Sequence, residues 1–250
     1  MGTRTLYPKL PPGPHPDSDE RSVASNQRAR LYGAMIELVA ERGYERSTVR
    51  ELCGLAGVSK RTLYERFPGG KQDCFLATYD VIVRRARNEI LGRDGRRLRE
   101  LQRIPVSQRL GTLVELFAVQ IIPHAKAARL VVLEAPELGA VTTRRVEKTT
   151  QLVERVVCWS LREGPDTPGP PGALVRRVVE EGSLVLRVCL CDGRLRGLTH
   201  ELVAVCRGNV EAFEWAGRQR DESQREWATH SPARSSHSRS VPVSAGTSGT

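Results

Sequence analysis

Residues 47–67 have the sequence STVRELCGLAGVSKRTLYERF. Thr48 is followed three residues later by Glu51, and this capping-box pattern predicts that a helix begins here. Gly57 ends that helix, because glycine favours the left-handed conformation that follows many helices. Ser59 is the next N-cap candidate and predicts a second short helix. Two short helices joined by about three residues that include a glycine are typical of a helix-turn-helix.

Helical periodicity continues on both sides of this motif. Before it, apolar residues recur at helical spacing up to Gly43. They are Leu31, Ala34, Met35, Leu38 and Val39. After it, residues 68–70 (Pro-Gly-Gly) end the second short helix, and a longer helix is predicted from Lys71 to about Leu91. The chain shows neither strand-like alternation nor an internal repeat, so the sequence predicts an all-α fold.

The chain is basic, and its positive charge is concentrated around the motif. Thirty-nine Lys and Arg against 29 Asp and Glu give a net charge of +10. Residues 21–71 contain ten cationic and five anionic side chains, which is half of the whole excess in about a fifth of the chain. Such a distribution indicates a polyanionic partner, either nucleic acid or an anionic membrane surface.

The segment around the motif contains an ordered set of residues: Gly43-Tyr44, Thr48-Val49, Leu52, Ala56-Gly57-Val58-Ser59, Thr62-Leu63-Tyr64 and Phe67. This set resembles the DNA-binding domain of the TetR family of helix-turn-helix transcriptional regulators. The rest of the chain, from about Leu98 to Ala216, is similar to the family in architecture alone. The resemblance implies an N-terminal three-helix DNA-binding domain followed by a helical ligand-binding and dimerisation domain.

The resemblance also implies which side chains contact double-stranded DNA. Lys60, Arg61 and Thr62 would lie nearest the major groove, where Arg or Lys can bond guanine. Ser59 would cap this recognition helix. Two hydroxyls and two cations would contact phosphates. They are Thr48, Tyr64, Lys71 and Arg28.

The sequence departs from the family pattern at two positions. Arg61 stands where the family often has glycine, which adds a long cation at the groove. Cys53 stands where a small alanine is usual, which predicts a packing variant. The arginine-rich segment 84–103 is predicted to be a solvated face with i,i+4 ion pairs rather than a DNA contact.

The chain is predicted to consist of four parts. They are a Pro-rich disordered arm (1–20), the helix-turn-helix domain (21–70), the ligand-binding and dimerisation domain (71–217) and a disordered tail (218–250). Residues 173–191 and 198–216 are two strongly apolar helical segments. The first has apolar stripes on two sides, which predicts cover by its own fold on one side and by the second copy of a homodimer on the other.

In this family the second domain binds a small molecule, and symmetric dimers bind pseudo-palindromic operators. The resemblance therefore implies a ligand-responsive regulator, most simply a repressor, with a small-molecule effector. Phe117, His124 and Trp159 are the candidate pocket residues. Two alternatives remain: an orphan or nucleoid-type DNA-binding dimer without an effector, and a helical interaction module whose basic patches bind acidic partners.

Several classes of protein are not supported by the sequence. HExxH, GxSxG, P-loop and GxGxxG motifs do not occur, and the five histidines are scattered, so neither an enzyme, a metal site nor a cofactor is expected. Six cysteines without a CxxC pair predict buried free thiols. A signal peptide is not expected at the N-terminus, and no apolar stretch is expected to approach the roughly 18 residues of a membrane span. The expected location is the cytoplasm, on the nucleoid when DNA is bound.

Overall fold

The computed structural model describes residues 20–93, 96–164 and 167–230. These residues form helices and turns without a β-strand, which confirms the predicted all-α class. The helices are α1 (Glu20–Arg42), α2 (Val49–Ala56), α3 (Lys60–Arg66), α4 (Lys71–Leu91), α5 (Arg96–Gln102), α6 (Val106–Ile121), α7 (Ala125–Arg129), α8 (Ala135–Glu137), α9 (Thr143–Ser160), α10 (Gly172–Asp192) and α11 (Leu198–His230). Two 3-10 turns, Ile122–His124 and Gly139–Val141, and a π-helical turn, Leu130–Glu134, lie between α6 and α9.

The chain divides into two compact units. The first reaches Val210, and the second begins at Glu211 within α11. The first unit thus includes both the predicted helix-turn-helix domain and most of the region predicted to bind ligand and dimerise. The domain boundary at residue 70 stays a prediction, and the predicted N-terminal arm lies outside the described residues apart from Glu20.

Helices α1 to α4 share a core with residues from much later in the chain. The five apolar residues that predicted α1 are all buried, as are Leu52, Leu63 and Phe75 of the following helices. The same cluster includes Ala127 of α7, Leu130 of the π-helical turn and Ala135 of α8. Leu130 is 0% exposed. The helix-turn-helix region is therefore packed against the second half of the chain rather than closed on itself.

Pro136 changes the helical segment that follows α6. Pro123 predicts a break in the helical pattern, and α6 ends just before it, at Ile121. The sequence then predicts a single helix over about residues 124–135, but the structure has α7, a π-turn and α8. The Ala135 amide donates to the carbonyl of Leu130, five residues earlier. A proline cannot donate an amide hydrogen to the preceding turn, so the hydrogen-bond register changes before it.

The helical run Val106–Glu137 is long and apolar enough, by length and composition, to cross a membrane. The expectation that no stretch approaches a membrane span was therefore too strong. One such run is weak evidence for a membrane protein, because the core helix of a soluble protein passes the same test. Leu110, Leu113 and Ala118 of α6 are buried against the rest of the chain.

Helix α5 is not predicted by the sequence, because its many arginines suggested an irregular connection between two helices. Arg, Leu, Glu and Gln are nevertheless good helix formers, and Leu101 is buried. Arg97 Nη1 donates to the carbonyl of Glu89 at 2.9 Å and joins α5 to the end of α4.

The two strongly apolar segments near the C-terminus are helices, as predicted. The prediction that a second copy covers one of the two apolar stripes of the first segment was wrong. One apolar stripe of α10 includes Leu174 and Val178. The other includes Val175, Val179 and Leu186, and all five residues are buried within this single chain. Both stripes are thus covered without a partner. A different part of α10 is exposed, and it includes Leu184 and Val188.

Helix α11 continues well beyond Gly217, where the sequence predicted a disordered tail. It ends at His230, and the remaining residues lie outside the described part of the chain. Residues 218–230 contain neither Gly nor Pro and include several strong helix formers, notably Arg, Gln, Glu and Ala. The prediction weighed the loss of apolar residues and neglected intrinsic helix propensity.

All six cysteines lie among the described residues and are free thiols, as predicted. Four of them are buried, and burial raises the pKa of Cys74 to about 12 and that of Cys206 to about 11. The prediction of burial was wrong for Cys191, which is exposed, and Cys158 is half-buried.

Candidate nucleic-acid interface

Local hydrogen bonds fix the turn between α2 and α3, as the sequence predicts. The Thr48 amide donates to Glu51 Oε2 at 3.0 Å, and the Glu51 amide donates to Thr48 Oγ1 at 3.2 Å, which completes the capping box. The same Thr48 contacts lower the pKa of the Glu51 carboxyl. Gly57 ends α2 at φ 61°, a conformation that costs other residues about 1–2 kcal/mol. The Thr62 amide donates to Ser59 Oγ at 3.0 Å and caps α3.

The first turn of α3 presents cations to solvent. Lys60 and Arg61 are exposed, and the Arg61 side chain is 89% exposed. Arg61 Nε lies 2.8 Å from Glu65 Oε1, one turn later. An exposed i,i+4 pair of this kind contributes only about 0.2–0.5 kcal/mol. Arg61 can therefore exchange Glu65 for a nucleic-acid acceptor at little cost.

Tyr64 is positioned by a glycine that follows α3. Its side chain is 49% exposed on the outer face of the helix. A Cβ atom added at Gly70 would lie 2.9 Å from Tyr64 Cε1, and Gly70 has φ 65°. Any other residue at position 70 would be strained and would displace the ring. The close approach of Gly70 therefore fixes the place of the Tyr64 phenol.

Lys71 binds the turn between α1 and α2. Its Nζ donates to the carbonyls of Tyr44 at 3.0 Å and Ser47 at 2.9 Å, and it lies 4.0 Å from the centroid of the Tyr44 ring. Two of the three ammonium donors are thus used inside the protein. The predicted phosphate contact stays a prediction, and it would have to use the third donor or the backbone amides at the start of α4.

Lys71→Met is expected to lower the free energy of unfolding by about 2 kcal/mol, because two hydrogen bonds to a charged group are lost and two carbonyls lose a partner. Lys60→Met is the matched control, because Lys60 is exposed at the first residue of α3. The control should change stability by less than about 0.5 kcal/mol. Urea unfolding of both variants measures the difference, and equal stability would show that Lys71 does not hold the turn.

Three polar side chains of α1 differ in what they contact. Arg28 is exposed, and its guanidinium carbon lies 5.9 Å from the centroid of the Phe67 ring. Its phosphate contact also stays a prediction. Arg30 donates to the carbonyl of Gly57 and thus holds the end of α2, which the sequence did not indicate. Gln27 accepts a hydrogen bond from Arg66 Nε at 3.0 Å and ties α1 to the end of α3.

The segment with this geometry also matches a known family. Residues 32–78 match the family described as bacterial regulatory proteins, tetR family. The chain carries the N-terminal domain of the TetR family. The matched range includes the second half of α1, both helices of the helix-turn-helix and the start of α4, so the predicted resemblance is confirmed on the residues that suggested it.

Solved structures extend the comparison beyond the TetR-family domain. The fatty acid degradation regulator FadR from Bacillus halodurans has a TM-score of 0.60 at 16% identity, over 73% of this chain and 94% of its own. A TetR-family transcriptional regulator from Streptomyces coelicolor has a TM-score of 0.57 at 21% identity, over 75% and 96%. FadR from Bacillus subtilis, solved in complex with stearoyl-CoA, has a TM-score of 0.55 at 14% identity, over 72% and 97%.

These likenesses show that the chain has the TetR-type all-α fold. No curated protein matches the chain at a significant level. The matched domain is described as that of regulatory proteins, and the fold is shared with a transcriptional regulator. Among the described residues, no group of three or more His, Cys, Asp or Glu side chains could hold a metal ion.

A small cleft lies between α4 and the α6–α7 segment. Three polar side chains, Arg85, Gln120 and His124, line it together with apolar residues. Its volume is about 40 Å³, which is enough for about one water molecule. Burial first, and then the charge of Arg85, lower the pKa of His124, so its imidazole favours the neutral form.

The other two predicted pocket residues do not line this cleft. Phe117 is half-buried and packs against the apolar cluster formed by α7, α10 and α11. Trp159 is half-buried on α9. Arg85 and Gln120 were missed, because only the fold brings α4 beside the end of α6. The ligand roles of Phe117, His124 and Trp159 stay predictions.

An open groove of about 410 Å³ lies between α9 and the start of α10 and contains none of the predicted residues. Arg155 and Arg176 line it together with Glu154, Cys158 and Val175. The mixed charge and the exposed position of this groove favour no ligand class.

Proposed function

We propose that the chain is a sequence-specific repressor that binds a pseudo-palindromic operator as a homodimer and responds to a small molecule. We name residues 43–67, which contain α2 and α3, the reading head. The observation that carries the proposal is the outer face of α3, where Lys60, Arg61 and Tyr64 are exposed on a helix capped by Ser59. Cations at the start of such a helix suit the acceptors of guanine in the major groove.

The reading head would divide the DNA contacts into two kinds. Lys60, Arg61 and Thr62 would contact bases, whereas Tyr64 and Thr48 would contact phosphates. Thr48 Oγ1 donates to Glu51 Oε2 at 2.9 Å, so this hydroxyl would have to be shared with the phosphate. The excess of cations around the reading head supports the same assignment, because phosphate binding dominates affinity for DNA.

Exposed faces of α10 and α11 support the proposed homodimer. Leu184 and Val188 are exposed on α10, and Ala204 and Gly208 are exposed four residues apart on α11. A Cβ atom at Gly208 would meet nothing within 4 Å in the single chain. Exposed apolar and small residues allow two helix pairs to approach closely, and we propose that a second copy covers them.

The effector would bind between α4 and the α6–α7 segment, at the cleft lined by His124. Ligand pockets usually have about 300 Å³ or more, so an effector would have to move these helices apart. Helix α4 starts at Lys71, which holds the turn before α2, so such a movement would reach the reading head. Stearoyl-CoA, which is bound to FadR from Bacillus subtilis, is a suitable first probe.

The test is selection of bound sequences from a random DNA pool by the full-length protein at about 0.15 M salt. An enriched inverted repeat is expected, and its release by an effector would separate this proposal from an orphan DNA-binding dimer. Binding without sequence enrichment that vanishes as salt rises would contradict it and favour nucleoid-type binding.

Arg61→Ala is expected to change the preferred base at one position of each half-site, because a single bidentate contact discriminates by about 1–3 kcal/mol. Tyr64→Phe is the comparison, since loss of a phosphate contact should weaken binding to every sequence alike. Repeating the selection with both variants measures the difference. An equal loss for Arg61→Ala at all operator positions would remove its base-contacting role.

A further inference from the structure

We infer that the π-turn Leu130–Glu134 fixes the reading head to the dimerisation helix α10, with Glu134 and Arg187 as the positioning residues. The inference rests on the proposed function, because it concerns the distance between two reading heads in a dimer. Sequence reasoning assigned no role to either residue. Neither would touch DNA, so each would act through the segments that it holds.

Glu134 holds the head side of this link. The Tyr44 amide donates to Glu134 Oε2 at 2.9 Å, across 90 residues of sequence, in a partly buried contact. The carboxylate also lies against Gly43, where an added Cβ atom would be 3.4 Å from it. Lys71 binds the carbonyls of the same turn. A carboxylate and an ammonium therefore fix the direction in which the chain enters the reading head.

Arg187 holds the α10 side of the link. Pro136 has no amide hydrogen for the carbonyl of Val132, four residues earlier. Arg187 Nη1 donates to this carbonyl at 2.9 Å, and its Nη2 lies 3.5 Å from Glu137 Oε1. In the opposite direction, Arg129 Nη1 donates to the carbonyl of Leu190 at 2.5 Å. Two arginines, one from each element, thus join the π-turn segment to α10.

The two sides meet within one short turn. Val132 binds α10 and Glu134 binds the reading head, only two residues apart. Leu130, at the start of the turn, is fully buried in the core shared with α1 to α4. A shift of α10 would therefore either break one of these contacts or move the π-turn, and through Glu134 it would displace Tyr44.

A second contact also joins the first four helices to the second half of the chain, and it provides the control. Lys126 of α7 forms an ion pair with Glu37 of α1, and both side chains are about half exposed. Exposed ion pairs contribute little to stability. Lys126→Met should therefore leave the position of the reading head unchanged, whereas Glu134→Ala and Arg187→Ala should not.

The first experiment needs no DNA. Hydrogen exchange of the Tyr44 amide is measured by mass spectrometry on the full-length protein. Glu134→Ala should speed this exchange about tenfold or more, and Glu134→Gln should restore most of the protection, because the amide oxygen still accepts. Arg187→Ala should speed it as well, although Arg187 does not contact the turn between α1 and α2 that contains Tyr44. Arg187→Lys, which keeps one donor for Val132, should have a smaller effect.

The second experiment uses the operator selected by the wild type, with one base pair inserted between its half-sites. The wild type should lose affinity for the altered spacing, whereas Glu134→Ala and Arg187→Ala should bind both spacings similarly and the native one about tenfold less tightly. Unchanged Tyr44 exchange in both Arg187 variants would overturn the link. If the wild type selects no operator, the proposed function fails, and the exchange experiment still decides the link.

Discussion

Leu184→Asp is expected to convert the protein to a monomer and to lower operator affinity about a hundredfold or more. Leu184 is 62% exposed in the single chain, so the substitution leaves the packing of the monomer intact. In the proposed dimer it would place a carboxylate in the centre of an apolar interface, where an unpaired charge is costly. Two linked reading heads gain about 10²–10⁴ in affinity over one, and the monomer would lose that gain.

Val119→Asp is the matched control for this variant. Val119 is also 62% exposed, but it lies on α6, outside the proposed interface. Sedimentation velocity and operator titration of both variants give the comparison. We expect the Val119 variant to remain dimeric with normal affinity. A dimeric Leu184 variant would move the interface elsewhere, and monomers in both would show a general sensitivity to surface charge.

Leu130→Ala is expected to lower the free energy of unfolding by about 3 kcal/mol, because it removes three carbons from a fully buried site and leaves a cavity. Since Leu130 belongs to the core of α1 to α4, the helix-turn-helix region and the second half should unfold together at the lower stability. Denaturant unfolding followed by tryptophan and tyrosine fluorescence and by circular dichroism measures this.

Leu55→Ala removes the same atoms from an exposed position of α2 and serves as its control. Its effect should stay below about 1 kcal/mol, because no buried cavity forms. A shared core would be contradicted if two separate unfolding transitions were observed and Leu130→Ala shifted the midpoint of only one of them. They would mean that residues 21–70 fold independently, as the predicted domain boundary suggests.

The parts of the site that the sequence predicted correctly are those set by neighbouring residues. Thr48 and Glu51 are three positions apart, as are Ser59 and Thr62, so the caps of α2 and α3 follow from local chemistry. The all-α class and the helix from Lys71 to Leu91 follow from periodicity in the same way.

The contacts that the sequence missed join residues far apart in the chain. Lys71 has the residue type and position of a phosphate contact, yet its ammonium binds two carbonyls that only the packing of α4 against the α1–α2 turn brings near. Glu134 and Arg187 are ordinary surface charges in the sequence, and the contacts that carry the link are made to backbone atoms, which have no sequence signature. The prediction that a partner covers one of the two apolar stripes of α10 was wrong for a related reason, because one chain can cover both sides of a helix.

The unequal burial of the cysteines makes the natural protein a ready substrate for spectroscopic labelling. At neutral pH a thiol-reactive dye should modify the exposed Cys191 first and the half-buried Cys158 more slowly, because the buried thiols are inaccessible and burial raises their pKa. Cys191 lies one residue before the end of α10. A single probe there would report association and effector-induced movement of this helix without any engineered substitution.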